Sequence, residues 1–306
     1  ARDAQKDHVM SVFAFPEQKL TEEMVAGYRE QTGTAVFVIS RNSGEGNDRA
    51  MTQQATIDGE TKEIGDYRLA ATEKENLKLL RKIFDKLILV LNVAGPVSVE
   101  DLSQSGADAV LLMGQAGQEG GRAVVDILTG RVTPSGKLTA TWAEKYEDYP
   151  TSDVFLKDPI QAPYPEGIYV GYRYFDTFDK QPGYPFGYGL SYTTFALDEY
   201  HAELNGDVLT LSVQVANTGS YPGKEVVQLY VSAPVTELDM PAHELKGFQK
   251  TDCLQPGAKQ TVTISLPVQN LASYSEAHGG YILSKGLYHI SLGTSSRNTT
   301  LVCSLS

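Results

Sequence analysis

The hydrophobic positions of the chain follow two different periods, and the change of period divides it. In the first half, short apolar runs alternate with segments whose apolar residues recur at helical spacing. The apolar runs are 34–40, 87–91 and 107–113, and the helical segments are 18–30, 70–86 and 122–128. Apolar runs of this kind are typical of strands buried on both faces of a parallel sheet. The first half therefore predicts an α/β domain with a mostly parallel sheet and right-handed crossovers.

Beyond residue 195, apolar and polar residues alternate with a period of two, which is the pattern of half-buried strands. The predicted strands are 209–216, 225–231, 244–250, 260–266, 286–292 and 299–304. Short strands that fill about 110 residues at this spacing predict an immunoglobulin-like β-sandwich. The expected fold class is thus α/β followed by all-β.

A stretch rich in Tyr, Pro, Gly and Asp lies between the two halves, at 146–192. This composition excludes a regular helix. Its rings suit either a surface that stacks sugars or an ordered connection whose rings are buried between two domains, and the second is the commoner case. We expect an α/β domain at 1–145, the connection at 146–192 and the β-sandwich at 193–306.

Length and charge narrow the classes of function. A chain of 306 residues accommodates about two domains. Its formal charge of -12 argues against a nucleic-acid partner, which requires a clustered basic surface. No apolar run approaches the ~20 residues needed to cross a bilayer. We therefore expect no nucleic-acid or membrane partner. The sequence leaves the compartment open, with the cytoplasm favoured.

Neither a metal nor a cofactor is expected. The two cysteines, Cys253 and Cys303, form no cluster with zinc-ligand spacing and no disulfide framework, and the sequence leaves open whether they pair. The glycine-rich turn at 114–121 lacks the P-loop pattern, and it also lacks the dinucleotide-binding pattern with its acidic residue ~20 positions on. A nucleotide-binding α/β protein is therefore disfavoured.

The candidate chemistry lies on the loop Ser-Gly-Glu-Gly-Asn-Asp-Arg at 43–49, after the first predicted strand. Open α/β sheets bind ligands at the carboxyl ends of their strands, and this glycine-flanked loop presents Glu45 there. An ordinary polar turn fits the same residues, so both interpretations stay open at this point. The polar, aperiodic stretch that follows, 50–65, predicts an irregular excursion over the same site.

Six motifs along nearly the whole chain resemble the C-terminal half of glycoside hydrolase family 3, the bacterial β-glucosidase and β-xylosidase group. They are the loop at 43–49, Leu-Val-Leu-Asn at 89–92 with Pro96, Gly-Gln-Glu-Gly-Gly at 117–121, Thr-Pro-Ser-Gly-Lys-Leu at 133–138, Gly-Tyr-Arg-Tyr-Phe-Asp at 171–176 and Phe-Gly-Tyr-Gly-Leu-Ser-Tyr at 186–192. The resemblance implies an α/β sandwich domain followed by a fibronectin type III-like domain. It also implies that Glu45 is the general acid/base for a β-linked glucoside or related glycoside.

Members of this family also carry a (β/α)8 barrel whose aspartate is the nucleophile, and this sequence has neither the barrel nor its Ser-Asp-Trp-type motif. Retaining hydrolysis needs two carboxyl groups roughly 5–5.5 Å apart. The start without methionine and the single strand before the loop lead us to expect a piece of a longer protein, without the opening strands of the sandwich domain.

We therefore expect that a barrel-bearing partner, on a separate chain or on the same precursor, completes the site. On this expectation the chain alone turns over no glycoside. The alternative is a non-catalytic carbohydrate-binding or scaffold protein derived from the same half. The sequence does not determine the sugar, because the barrel supplies most of the contacts to it.

Overall fold

The computed structural model of the chain describes residues 15–43, 48–57, 59–155, 157–158, 160–236 and 238–306. These residues form two compact units, one extending to Val125 and the other comprising Asp126–Ser306. The first unit mixes helices and strands, whereas the second is mainly β. The domain boundaries predicted at 145 and 192 both fall within the second unit, and they stay predictions.

A three-stranded parallel sheet organises the first unit. Up to residue 128 the elements are α1 (Glu22–Arg29), β1 (Thr34–Ser40), β2 (Thr52–Ile57), β3 (Glu60–Gly65), α2 (Ala71–Ile83), β4 (Lys86–Asn92), α3 (Val99–Gln104), β5 (Ala109–Leu112) and α4 (Gly120–Leu128). The sheet has the order β1–β4–β5, and both strand pairs are parallel. The predicted parallel sheet is confirmed.

Strand β1 is buried on one face and half-exposed on the other. Ala35, Phe37 and Ile39 are buried, whereas Val36 and Val38 are 47% and 50% exposed. The expectation that both faces are buried is wrong for this strand. Successive side chains of a strand point to opposite faces, and an unbroken run of apolar residues does not reveal which face is covered.

Strands β2 and β3 form an antiparallel hairpin. Gly59 lies in its turn with a φ of 80°, a left-handed conformation that favours glycine. The prediction of an irregular excursion over 50–65 is therefore wrong. The missed signal is the dipeptide Asp58-Gly59, which is typical of two-residue hairpin turns even where the flanking residues are polar.

Two antiparallel sheets make up most of the second unit. Its elements are β6 (Trp142–Ala143), α5 (Tyr172–Thr177), β7 (Pro182–Tyr184), β8 (Phe195–Asn205), β9 (Val208–Asn217), β10 (Val226–Ser232), β11 (Glu244–Lys250), β12 (Lys259–Pro267), β13 (Ser273–Ser275), β14 (Gly280–Ile282), β15 (Tyr288–Ser295) and β16 (Asn298–Leu305). One sheet has the order β11–β10–β15–β16 and the other β12–β9–β8. The predicted β-sandwich is confirmed.

An apolar core fills the sandwich. Its members alternate along each strand, as Leu211, Val213 and Val215 do along β9. Each such side chain contributes about 1.5–3 kcal/mol when it is fully removed from water. The sequence did not predict β8, because most of its residues are exposed and its pairing with β9 is irregular between Asp198 and His201.

Helix α5 is attached to the rest of the second unit through a buried aspartate. The side chain of Asp176 is 5% exposed; its Oδ2 lies 2.8 Å from His243 Nε2, and its Oδ1 pairs with the guanidinium of Arg297. Arg297 also donates to the main-chain oxygens of Phe175 and Lys180, at 2.9 and 2.8 Å. We call Asp176, His243 and Arg297 the Asp176 cluster. It ties the Gly-Tyr-Arg-Tyr-Phe-Asp motif to the residue before β11 and to the turn between β15 and β16.

Candidate active site

Glu45 lies outside the described residues, as do Gly44, Gly46 and Asn47. The structure describes the residues through which the chain enters and leaves this part of the sequence. We call residues 42–48 the Glu45 loop. The loop follows β1 at the carboxyl edge of the parallel sheet and leads towards β2. This is the edge at which open α/β sheets bind ligands.

Arg41 fixes the entering end of the Glu45 loop. Its backbone nitrogen donates to Asn92 O at 3.0 Å, which continues the pairing of β1 with β4. Its buried guanidinium donates to both carboxylate oxygens of Glu73, with distances of 2.9 and 2.7 Å. Arg41 Nε donates to Asp66 O at 2.8 Å. Four hydrogen bonds therefore hold this end in one place.

Arg49 fixes the leaving end. Its Nε donates to Asp66 Oδ1 at 2.7 Å, and its Nη2 donates to Asp66 O at 2.9 Å. The remaining nitrogen, Nη1, donates to Pro96 O at 2.6 Å. Pro96 follows β4, so Arg49 joins the end of the loop to the neighbouring strand connection. A planar guanidinium suits this arrangement because its donors have a fixed geometry.

Asp66 is the residue on which the two ends converge. Its side chain is 1% exposed, and its main-chain oxygen accepts hydrogen bonds from both arginines. Its Oδ2 accepts from Ala50 N at 2.7 Å and from Gln53 Nε2 at 2.8 Å. Residues on both sides of the Glu45 loop thus share one buried acceptor group.

The buried pair Arg41–Glu73 depends on a glycine beside it. The two side chains are 4% and 6% exposed, and a Cβ on Gly65 would collide with both of them. Removing one partner of a buried ion pair costs about 3–5 kcal/mol, because the other charge is left unpaired. Glycine at this position is therefore required by close approach rather than by its backbone angles.

A cavity of about 220 Å³ lies beside the entering end of the Glu45 loop. Its lining includes Ser40, Arg41 and Gln53, together with Glu17. Burial, together with the nearby charge of Glu73, raises the pKa of Glu17 above its ordinary value. Ligand pockets are usually about 300–1,000 Å³, so this cavity is smaller than a complete sugar-binding site.

Two described carboxylates next to the Glu45 loop, those of Asp66 and Glu73, are already engaged. Asp66 is held by Arg49, and Glu73 is held by Arg41. Neither presents a free oxygen for attack on an anomeric carbon. The arrangement therefore provides a rigid frame for a carboxylate on the loop, which can donate or accept a proton. Retaining hydrolysis would need a second, unpaired carboxylate roughly 5–5.5 Å away.

Metal sites, membrane helices and disulfides are the other features that bear on function in the part of the chain that the structure describes. Within it, no three His, Cys, Asp or Glu side chains are grouped so that they would hold a metal ion. No helix in the described ranges is long and apolar enough to cross a membrane. Cys253 and Cys303 are both free thiols, and burial raises the pKa of Cys303. The question of their pairing, which the sequence left open, is thereby answered.

Sequence reasoning selected Glu45 and Arg49 as parts of one motif but missed Asp66 and Arg41. Asp66 follows a polar stretch without periodicity, and nothing in the neighbouring residues marks it as special. Its partners lie 13 to 25 positions away in the chain. The hairpin β2–β3 brings them together, and the Asp-Gly turn was the one signal from which that hairpin was predictable.

The sequence and the fold match one family. The model of the glycosyl hydrolase family 3 C-terminal domain matches residues 8–192, and that of the fibronectin type III-like domain matches residues 225–296. The chain belongs to glycosyl hydrolase family 3. The resemblance inferred from the six motifs is confirmed.

Several known proteins are similar to this chain. Beta-glucosidase A of Butyrivibrio fibrisolvens is 41% identical over 94% of this chain and 39% of its own length. The structure of beta-glucosidase 3B from Thermotoga neapolitana in complex with glucose superposes with a TM-score of 0.85 at 39% identity, over 98% of this chain and 41% of that one. An exo-alpha-(1->6)-L-arabinopyranosidase of Bifidobacterium breve is 34% identical over 79% of this chain and 31% of its own length.

In each case the chain spans about two fifths or less of the protein that it resembles. The similarity therefore covers only one part of each of these relatives. Because beta-glucosidases and an arabinopyranosidase both align with this part, it does not by itself identify a sugar.

Proposed function

We propose that this chain is the C-terminal portion of a retaining β-glucosidase and that Glu45 is its general acid/base. On this proposal a (β/α)8 barrel, on another chain or on the same precursor, supplies the nucleophile. Glu45 protonates the leaving oxygen in the first step and activates water in the second. The substrate is a β-linked glucoside or a related glycoside.

The observation that carries the proposal is the frame around the Glu45 loop. Arg41 and Arg49 hold the two ends against Asp66 at the carboxyl edge of the sheet, in a chain that aligns with β-glucosidases over nearly its whole length. General acid catalysis requires a donor held within hydrogen-bond reach of the leaving oxygen. A loop whose ends are fixed by buried ion pairs meets this requirement better than a loop that ends in solvent.

The proposal also accounts for two requirements that the residues around the loop do not meet, a nucleophile and the burial of the acid. Asp66 and Glu73 are occupied by arginines, and the adjoining cavity is small. A carboxylic acid that donates a proton near neutral pH needs a pKa above its usual value of about 4.3, which burial from water provides. A barrel that covers the loop would supply both that burial and the nucleophile. Alone, this chain is expected to be inactive.

The test compares the chain alone with the assembly that includes the barrel-bearing portion, on an aryl β-glucoside. We expect no turnover by the chain and turnover by the assembly. In the assembly, Glu45→Gln is expected to lower kcat/KM for an alkyl β-glucoside by about 10²–10⁴-fold, which is the usual contribution of general acid–base catalysis. A 2,4-dinitrophenyl β-glucoside should lose far less, since its leaving oxygen departs without a proton.

Two outcomes contradict the proposal. Hydrolysis by the purified chain alone, lost in Glu45→Ala, would show that no barrel is needed. Equal losses for the alkyl and dinitrophenyl substrates in Glu45→Gln would show that Glu45 is not the acid. Native mass spectrometry of material from the source addresses the alternative, because a free chain that binds oligosaccharide would favour the carbohydrate-binding protein.

A further inference from the structure

We propose that Asp66 is a positioning residue that sets the efficiency of the general acid by fixing both ends of the Glu45 loop. This inference rests on the proposed function of Glu45 and adds a residue outside the loop motif to the machinery of the site. It is drawn from the hydrogen bonds of the described residues Arg41, Arg49 and Asp66.

The main-chain carbonyl of Asp66 links the two ends of the Glu45 loop. Its carbonyl oxygen accepts from Arg41 Nε at 2.8 Å and from Arg49 Nη2 at 2.9 Å. One residue precedes the Glu45 loop and the other follows it. A shared acceptor of this kind couples the positions of the two ends, because a shift of the carbonyl moves both arginines together.

The carboxylate of Asp66 holds the leaving end of the loop. It accepts from Arg49 Nε, from Ala50 N and from Gln53 Nε2, at 2.7 to 2.8 Å. These donors lie on the leaving end of the loop and on the first strand of the hairpin. A carboxylate that accepts several hydrogen bonds in a buried place has one stable orientation. The side chain therefore fixes the leaving end, while the carbonyl ties the entering end to it.

The same unit contains a second buried aspartate that serves as a matched control. The side chain of Asp101 is 1% exposed, accepts from Leu69 N at 2.8 Å, and pairs with Lys74 at 2.9 Å and with Arg68 at 3.4 Å. Its burial, charge and number of partners resemble those of Asp66. None of these partners belongs to the Glu45 loop or to its two ends. A purely structural role predicts similar consequences for the loss of either carboxylate.

The experiment measures kcat/KM for an alkyl β-glucoside and for a 2,4-dinitrophenyl β-glucoside in the assembly that contains the barrel. This parameter reports the first chemical step, in which protonation matters for the alkyl leaving group alone. For Asp66→Asn we expect a loss of about 10–100-fold on the alkyl substrate, the scale on which misplacement by ~1 Å acts, and a loss below about 3-fold on the dinitrophenyl substrate. Asp101→Asn should lower the unfolding midpoint similarly and leave the ratio of the two substrates unchanged.

A conservative change on the loop side makes the test independent of folding. Arg49→Lys keeps the charge but removes the planar set of donors that bridges Asp66 to Pro96. We expect it to shift the substrate ratio in the same direction as Asp66→Asn. If Asp66→Asn does not fold, Arg49→Lys decides the question.

The outcomes separate this inference from the proposed function. If Glu45→Gln discriminates between the two substrates and neither Asp66→Asn nor Arg49→Lys does, Asp66 has no positioning role while Glu45 remains the acid. An equal shift of the ratio in Asp101→Asn would also overturn the inference, because any buried aspartate would then have the same effect. If Glu45→Gln itself fails to discriminate, the proposed function fails, and the positioning role fails with it.

Discussion

The Asp66 site in the first unit and the Asp176 cluster in the second use similar chemical groups for different purposes. Each has a buried carboxylate that contacts nitrogen groups from distant parts of the chain. The partners of Asp66 flank a loop, whereas those of Asp176 lie beside strands of a finished β-sandwich. A buried aspartate therefore has no fixed role, because its effect depends on what its partners are attached to.

The two sites also differ in what would follow from their loss. Loss of the Asp176 carboxylate frees the short helix α5 and exposes its aromatic packing. The stacked pair Tyr172 and Phe186, whose ring centroids are 4.7 Å apart, belongs to this packing. Releasing Asp66 frees the ends of a loop that carries few apolar residues. We therefore expect the first loss to appear mainly in stability and the second mainly in catalysis.

The largest expected effect is on the stability of the second unit. Asp176→Ala removes the buried carboxylate that Arg297 and His243 share, so we expect the free energy of unfolding to fall by about 2–3 kcal/mol, the scale of hydrogen bonds to charged groups. Urea unfolding followed by fluorescence of Trp142 measures it. The matched control is Asp179→Asn, because Asp179 is fully exposed, lies 3.8 Å from the same arginine, and has a left-handed φ of 48° that asparagine tolerates and alanine does not. An unchanged midpoint is expected there.

The same variants also distinguish the two aspartates by their effects on catalysis. In the assembly with the barrel, Asp176→Ala should leave the ratio between the alkyl and dinitrophenyl substrates unchanged below its unfolding temperature. A ratio altered as much as in Asp66→Asn would mean that the two aspartates are not distinct in function.

A smaller effect on the stability of the second unit is expected when the pH is lowered. Burial raises the pKa of Asp176, but the contact with His243 and the charge of Arg297 outweigh burial and leave the pKa below its ordinary value. A carboxyl whose pKa is lower in the folded state stabilises the protein above its unfolded pKa of about 3.9. That contribution is lost as the pH falls through the folded pKa.

Urea midpoints of the second unit, measured from pH 6 to below pH 3, test this expectation. The wild-type midpoint should decline more steeply below about pH 4 than that of Asp176→Asn, which cannot titrate at this position. Identical slopes in the two proteins would assign the acid sensitivity to other carboxyl groups.

The smallest predicted effect is on a hydrogen bond beside the Asp176 cluster. Tyr230 is buried, and its hydroxyl donates to Gln228 Oε1 at 2.6 Å. Tyr230→Phe removes this bond and is expected to lower the free energy of unfolding by about 1 kcal/mol. Tyr281→Phe, at a side chain that is 76% exposed, is the control and should have no measurable effect. A loss in Tyr230→Phe as large as in Asp176→Ala would show that the hydroxyl belongs to the same cooperative cluster.

Much of the architecture was predictable because it depends on local pattern. The apolar runs correctly located β1, β4 and β5, and the alternation of period two correctly located most strands of the sandwich. Three features escaped: strand β8, the hairpin β2–β3 and the exposed face of β1. Val36 and Val38 belong to an unbroken apolar run, yet they are half-exposed, because burial depends on what lies over a sheet rather than on the strand itself.

The site was less predictable than the fold. Glu45 was selected through a resemblance to a family, since its own neighbours fit an ordinary turn equally well. Asp66 was not selected at all, because its role arises when the hairpin β2–β3 brings it next to Arg41 and Arg49. A contact made by the fold between distant polar residues leaves no periodic signal in the sequence.

The convergence of Arg41 and Arg49 on Asp66 also bears on how such a protein diversifies. Because both ends of the Glu45 loop are tied to one residue of the scaffold, the entropy of closing the loop changes by only about 0.6 kcal/mol for each doubling of its length. Insertions and substitutions between the two arginines are then nearly free of consequence for the sheet beneath them. Loop variants that keep Glu45 can therefore be screened for activity in the assembly with the barrel while the scaffold stays the same.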